Sequence, residues 1–159
     1  MKNVTFNELA DLEKRALEEA ERVLENSYNP YSHFYVGACL YTDDDKIICG
    51  TNVENASLEL TACAERSAVF SAHAMGIKKF RGLAVIARGE NFDTQEVTAP
   101  CGACRQILFE AAQLSGGDLD VILSTTKKDK IMRATIKELL PLAFGPLDIG
   151  IDIDKYREK

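Results

Sequence analysis

Apolar residues recur at Leu9, Leu12, Ala16, Ala20 and Leu24 between charged positions, the three-to-four spacing that predicts an amphipathic helix ending near Glu25. Thr5-Phe6-Asn7-Glu8 stands at its start as a capping box, with Thr5 as cap and Glu8 three residues on. Asn29-Pro30 breaks that helix. The pattern then shortens, and Val36–Thr42 and Lys46–Cys49, separated by Asp43-Asp44-Asp45, predict a hairpin. A helix is expected from near Cys63 to Gly76, a strand over Gly82–Ala87, and a helix from Pro100, placed at its first position, to about Ser115. Leu119–Ser124 and Ile131–Thr135 supply two more strands around a turn at Lys127–Lys130, and Lys137–Leu140 a last short helix. The order α-β-β-α-β-α-β-β-α predicts an α/β fold of three layers, α-β-α, with a mixed five-stranded sheet carrying helices on both faces.

The 159 residues suit a single domain, 1–159, with a sizeable core. Nineteen basic against twenty-five acidic side chains leave a net charge of -6. That balance argues against nucleic acid as a partner, since its binders carry basic surfaces, and suits a small, nearly neutral ligand. Met1-Lys2-Asn3-Val4 lacks the apolar run of a secretory signal. Stretches such as Val36–Tyr41 and Leu139–Phe144 are too short to cross a bilayer, so no membrane partner is expected. Five cysteines is an odd number for a disulfide scaffold. A cytoplasmic location is expected, where clustered cysteines bind metal or do chemistry more often than they pair.

Three of those cysteines fall in two segments, Thr61-Ala62-Cys63-Ala64-Glu65-Arg66 and Ala99-Pro100-Cys101-Gly102-Ala103-Cys104-Arg105. A Cys-x-x-Cys pair alone is weak evidence, because redox pairs and zinc knuckles also use it. The count sharpens it. A structural zinc takes four protein ligands, whereas three thiolates leave one tetrahedral position open for water, as a catalytic zinc needs. Cys101 and Cys104 lie roughly 60° apart on a helix, and in a first turn the exposed N–H groups favour thiolate. The same holds for Cys63 if Thr61 caps its helix. Glu65 imposes a condition. Two helical residues subtend roughly 200°, so Cys63 and Glu65 converge only if Cys63 sits at the helix start. Arg66 and Arg105, each beside a site residue, are placed to offset the negative charge of three thiolates. Cys39 and Cys49, in apolar strand contexts, read as core thiols. His73 lies too far along its helix to ligate, and His33 reads as exposed loop.

Read together, Asn29-Pro30-Tyr31-Ser32-x-Phe34, Val36-Gly37-Ala38, Asn52-Val53-Glu54-Asn55-Ala56, Cys63-Ala64-Glu65-Arg66, Pro100-Cys101-Gly102-Ala103-Cys104-Arg105-Gln106 and Leu139-Leu140-Pro141-x-Ala143-Phe144 resemble the cytidine deaminases, specifically their short, three-cysteine, homotetrameric branch. The resemblance spans roughly residues 10 to 148 and implies a cytidine deaminase-like fold and one Zn2+ per chain on Cys63, Cys101 and Cys104. It further implies hydrolysis of cytidine or deoxycytidine to the uridine and ammonia in pyrimidine salvage. Glu65 is then the proton shuttle, serving N3 and the leaving amine. Asn52 and Glu54 are expected on the ribose 3′-hydroxyl, Phe34 against the pyrimidine ring, and the N–H of Ala64 on the base carbonyl. Phe144 is expected to reach a neighbouring subunit's site, which makes the active sites shared.

The chain departs from that pattern at Leu58, where the family usually has a tyrosine for the ribose 5′-hydroxyl. Tyr35 replaces a common proline and Cys39 a common alanine. The segment from Asp148 runs past the usual end. The resemblance is weaker to the blasticidin S deaminases, which share the zinc motif but generally lack the Asn52–Asn55 segment. Polynucleotide-editing deaminases are disfavoured by the acidic balance. A non-enzymatic zinc or thiol-redox module is separated by Glu65, since a structural site has no need of an acid beside the metal.

Overall fold

The computed structural model describes residues 1–157. Six strands, β1 (Lys2–Val4), β2 (Phe34–Tyr41), β3 (Ile47–Thr51), β4 (Gly82–Gly89), β5 (Asp120–Thr125) and β6 (Ile131–Thr135), form one mixed sheet in the order β1-β6-β5-β4-β2-β3. β4 and β5 run parallel and every other pairing is antiparallel. The parallel pair is joined by α3 (Gly102–Ser115), the crossover that a parallel connection requires. The expected five strands are therefore six. The addition, β1, pairs Lys2 with Arg133 and Val4 with Ile131, and three residues are too few for a period-two pattern to be read.

The layers follow the alternation along the strands. On one face Ala16, Leu17, Ala20 and Leu24 pack on Cys39, Tyr41, Ile86 and Ile122, the first three of them from α1 (Asp11–Val23). On the other, α2 (Ala64–Ala74) and α3 bring Ala64, Ala68, Leu108 and Ala112 against Ala38, Leu40, Val85 and Leu123. Because strand residues of both parities are buried, the central strands read as nearly continuous apolar runs.

Four local expectations are corrected. The Thr5–Glu8 box caps a single 3-10 turn, Phe6–Glu8. Leu9 then turns extended and buried, and α1 starts at Asp11, its cap residue Ala10 donating its N–H to the Glu13 carboxylate at 2.7 Å. Cys63 and Cys101 are themselves the caps of α2 and α3, which displaces Thr61 and Pro100 from those roles. The last expected helix is α4 (Ile136–Leu139), started one residue early by Thr135, whose hydroxyl accepts the Glu138 N–H. Finally, Cys39 and Cys49 are not separate core thiols. The register of the β2–β3 ladder sets them directly opposite, where Cβ atoms approach to about 5 Å, and they are joined as a disulfide.

The segment beyond Asp148 has structure of its own. A 3-10 turn, Pro146–Ile149, leads to α5 (Asp154–Arg157), and Arg157 donates to the carbonyls of Leu114 and Gln113 at 2.8 and 2.9 Å. It thereby gives a donor to the Leu114 carbonyl at the end of α3 and a second one to the Gln113 carbonyl, which already accepts the Gly116 N–H. Among the described residues no helix is long and apolar enough to cross a membrane.

Candidate active site

The N-termini of α2 and α3 converge at the end of the sheet where β3 and β4 finish and β2 begins. Glycine 50 permits the close approach on one side. A Cβ there would come within 2.3 Å of the Ala68 nitrogen and 2.5 Å of the Ala64 carbonyl oxygen, so the first turn of α2 lies directly on β3. Cys63 caps α2 with an extended backbone, φ -73° and ψ 156°. Cys101 caps α3, and Cys104 lies buried in its first turn. The three sulfurs stand within 4.8 Å of one another, with Cys101 and Cys104 3.5 Å apart. Both helix N-termini place partial positive charge there, which favours thiolate. Because Cys63 lies outside the helix, the roughly 200° that would separate it from Glu65 within one does not apply.

Glu65 is only 5% exposed. Burial pushes its carboxyl above the usual carboxylate range, and the charge on Cys63 adds to the push. Among the described residues no lysine or arginine pairs with it. The thiols polarise one another. A hydrogen bond from Cys104 draws the Cys63 thiol down, helped by Arg66, while the same bond and burial drive Cys104 up. Arg66 donates from Nη2 to the Thr61 carbonyl and keeps a buried Nε without a protein acceptor. Arg105 acts otherwise than expected. Its guanidinium donates to the carbonyls of Pro100 at 2.7 Å and Leu139 at 2.9 Å, so it braces the backbone before Cys101 instead of reaching sulfur.

The other expected site residues share this end of the molecule. Asn52 is buried, its side chain accepting the Val36 N–H and donating to the Phe34 carbonyl, each at 2.9 Å. It therefore fixes the start of β2 and with it Phe34. The Glu54 carboxylate accepts the N–H groups of Tyr31 and Ser32 at 2.9 and 3.2 Å, which ties the Asn29–Ser32 motif to the Asn52–Asn55 motif. Ala64, as the first residue of α2, has an N–H with no acceptor inside the helix. Phe144 stands apart. It is 61% exposed and lines a cavity of about 470 Å³ with Gln106, Leu114, Ile149, Ile153 and Tyr156, a lining that includes none of the three thiols. Sequence reasoning offered Thr61 only as a possible cap and missed that its carbonyl anchors Arg66, because a backbone acceptor leaves no trace in residue type.

A family model, the cytidine and deoxycytidylate deaminase zinc-binding region, matches residues 11–114. The chain belongs to this deaminase family. A cytidine deaminase of Sporosarcina psychrophila is 41% identical over 140 residues, 88% of this chain and 96% of that one. One of Halalkalibacterium halodurans is 43% identical over 134 residues, covering 84% and 95%. Among solved structures, the cytidine deaminase of Burkholderia pseudomallei superposes with a TM-score of 0.72 at 42% identity, covering 82% of this chain and 97% of its own. The zinc-binding region of this deaminase family contains Cys63, Cys101 and Cys104, and they form the group among the described residues that can hold the ion. Their chemistry fits it: three thiols at two positive helix ends, with a place left for a fourth, non-protein ligand.

Proposed function

We propose that this chain hydrolyses cytidine or deoxycytidine to the corresponding uridine and ammonia, with zinc held by Cys63, Cys101 and Cys104. The observation that carries the reading is the buried Glu65, without a salt bridge among the described residues, beside three convergent thiols. Zinc, when bound there, supplies a Lewis acid with an open coordination position. Glu65 takes a proton from the attacking water and delivers it to N3 as the C4–O bond forms, then takes the remaining proton of the new C4 hydroxyl and gives it to the amine as the C4–N bond breaks, leaving the C4 carbonyl and ammonia. Its raised proton affinity suits a group that must hold each proton briefly between its source and its acceptor. Arg66 stabilises the Cys63 thiolate, and Arg105 holds the Pro100–Cys101 backbone in place. Phe34 packs on the pyrimidine. The Ala64 N–H meets the base carbonyl, and Asn52 and Glu54 form the ribose edge, both also fixing the loop that carries Phe34.

A homotetramer with shared sites accounts for the exposure of Phe144 on the chain's own surface. The reaction belongs to pyrimidine salvage, and a cytoplasmic setting follows from that role. Zinc-loaded protein should release ammonia from cytidine, and X-ray absorption should show three sulfur ligands and one light atom per zinc. Four sulfurs, or no ammonia from either nucleoside, would sink the proposal.

A further inference from the structure

Phe92 holds an apolar ring in the open. Its ring lies over Gly89, where a Cβ would come within 2.0–2.4 Å of three ring carbons, so the ring occupies the place of the side chain that Gly89 lacks. Gly89 stands directly opposite Phe34 in the β2–β4 ladder, and directly opposed residues point to the same face. Phe34 shares its face with Val36 and Ala38 by the two-residue alternation, and those two pack into the core under α2 and α3. The two rings are therefore neighbours on the face that carries the thiols, at the end of the sheet where Asn52 holds Phe34.

The turn that carries Phe92 is braced. The Gly89 N–H donates to the Phe92 carbonyl at 2.9 Å, and the Arg88 guanidinium donates to the Gly89 carbonyl at 2.9 Å. Thr94 donates its hydroxyl to the Ala87 carbonyl at 3.3 Å, and Thr126 its hydroxyl to the Asp93 carboxylate at 2.6 Å. Arg88 is itself anchored by Glu25 at 2.7 Å and over the Tyr35 ring at 4.2 Å from its centroid. Despite this fixation Phe92 is 63% exposed. A pre-positioned ring with an open face is suited to a flat, apolar-faced ligand, because little conformational freedom remains to be lost on binding.

We propose that Phe92 is a specificity-determining residue, forming with Phe34 an aromatic rim that selects a planar, unsaturated base. The inference rests on the reading of this chain as a nucleoside deaminase. Its test is calorimetric titration of the zinc-loaded wild type, Phe92→Ala, Phe92→Leu and Phe92→Tyr with uridine and with 5,6-dihydrouridine, which shares the ribose but has a saturated base. Phe92→Ala should weaken uridine about 3- to 10-fold and dihydrouridine by less than twofold, and Phe92→Tyr should restore uridine. Phe92→Leu, which keeps an apolar group over Gly89, should lose the same selectivity should the alanine variant fail to fold. In turnover of cytidine the loss should fall mainly on KM. Equal weakening of both nucleosides, uridine binding unchanged in Phe92→Leu, or a change of oligomeric state in the variants would overturn the proposal, the last by showing that a second copy covers the ring. Wild type that binds uridine but releases no ammonia from cytidine would sink the deaminase reading and leave the titration to decide Phe92. Wild type that binds neither nucleoside would overturn both.

Discussion

The two faces of the sheet treat the same residue types in opposite ways. Two of the five cysteines, Cys39 and Cys49, lie on the α1 side and are joined to each other. The other three lie at the starts of α2 and α3 and are free. Each face also buries one glutamate to 5% exposure. Glu13 on the α1 side accepts from Arg133 at 2.5 Å and from the Ala10 N–H at 2.7 Å. Glu65 on the other side forms no salt bridge among the described residues. Burial is equal, so burial cannot be what separates a structural acid from a chemical one; the partners are. A carboxylate that already accepts from a guanidinium and a helix-cap N–H has its oxygens committed to structural bonds. Glu65, whose carboxyl is pushed above the usual carboxylate range by burial, has the raised proton affinity that a proton shuttle needs.

The largest effect should come from neutralising each glutamate in turn. Glu65→Gln keeps shape and volume but removes the shuttle, so turnover should fall by about 10²–10⁴-fold while zinc content and thermal unfolding stay near wild type. Steady-state ammonia release beside metal analysis and calorimetry reads this directly. Near-normal turnover in the zinc-loaded variant would break the comparison at its centre.

Glu13→Gln should do the reverse. It leaves the Arg133 guanidinium, whose side chain is about a third exposed, without its carboxylate. Breaking a fully buried pair costs several kcal/mol, and screening at the arginine reduces that, so we expect about 2 kcal/mol lost in urea unfolding with kcat retained. A variant that loses activity while keeping stability would show that the two faces are not divided in this way.

The division was only half legible in the sequence. The thiol cluster could be read because each part is local: Cys-x-x-Cys after a proline, and Cys63 two residues before Glu65, each at a helix start. The need for Cys63 to precede its helix followed from helical geometry alone and is met by its extended backbone. The partners on the α1 face are non-local. Glu13 and Arg133 are 120 residues apart, and Cys39 meets Cys49 only through a strand register that composition does not specify. β1 is too short to carry a period. The Thr5–Glu8 box was a sound local signal, but it caps a 3-10 turn because Leu9 leaves the helical conformation to bury its side chain. Arg105 reads in the sequence as a charge partner of the thiols, yet its acceptors are backbone carbonyls, which residue types do not reveal.

The disulfide offers a smaller test of the same contrast. Chelated, denatured protein should show three free thiols before reduction and five afterwards. The bond closes a loop of sequence separation 10, for which the chain-entropy model gives roughly 3 kcal/mol. The Asp43–Asp45 turn already holds the hairpin ends together, so reduction should cost only about 1 kcal/mol in urea unfolding. Five thiols without reduction would remove the cross-link from the α1 face and leave Cys39 and Cys49 as packing groups.

The smallest expected effect lies at the edge of the thiol face, at Leu58, where a tyrosine is usual in the family. Leu58 is 69% exposed and opens the 3-10 turn Leu58–Leu60, so its own chain does not cover it. An apolar side chain cannot hydrogen-bond a ribose 5′-hydroxyl. A neutral hydrogen bond contributes about 0.5–1.5 kcal/mol, roughly two- to twelve-fold in affinity, too little to abolish turnover of cytidine. The consequence should appear as selectivity. With no partner waiting for the hydroxyl, the wild type should distinguish cytidine from 5′-deoxycytidine only weakly, because nothing is left unpaired when the group is missing. Leu58→Tyr should widen that ratio by the same two- to twelve-fold, read as kcat/KM for the two nucleosides side by side. Glu59, exposed in the same turn, competes with this outcome, since its carboxylate can accept the 5′-hydroxyl that leucine cannot. The double comparison with Glu59→Gln separates the two. If the wild type already discriminates strongly and Glu59→Gln abolishes the difference, the glutamate has taken over the tyrosine's role. If neither substitution moves the ratio, this turn does not meet the 5′ end, and the site face ends at Asn55.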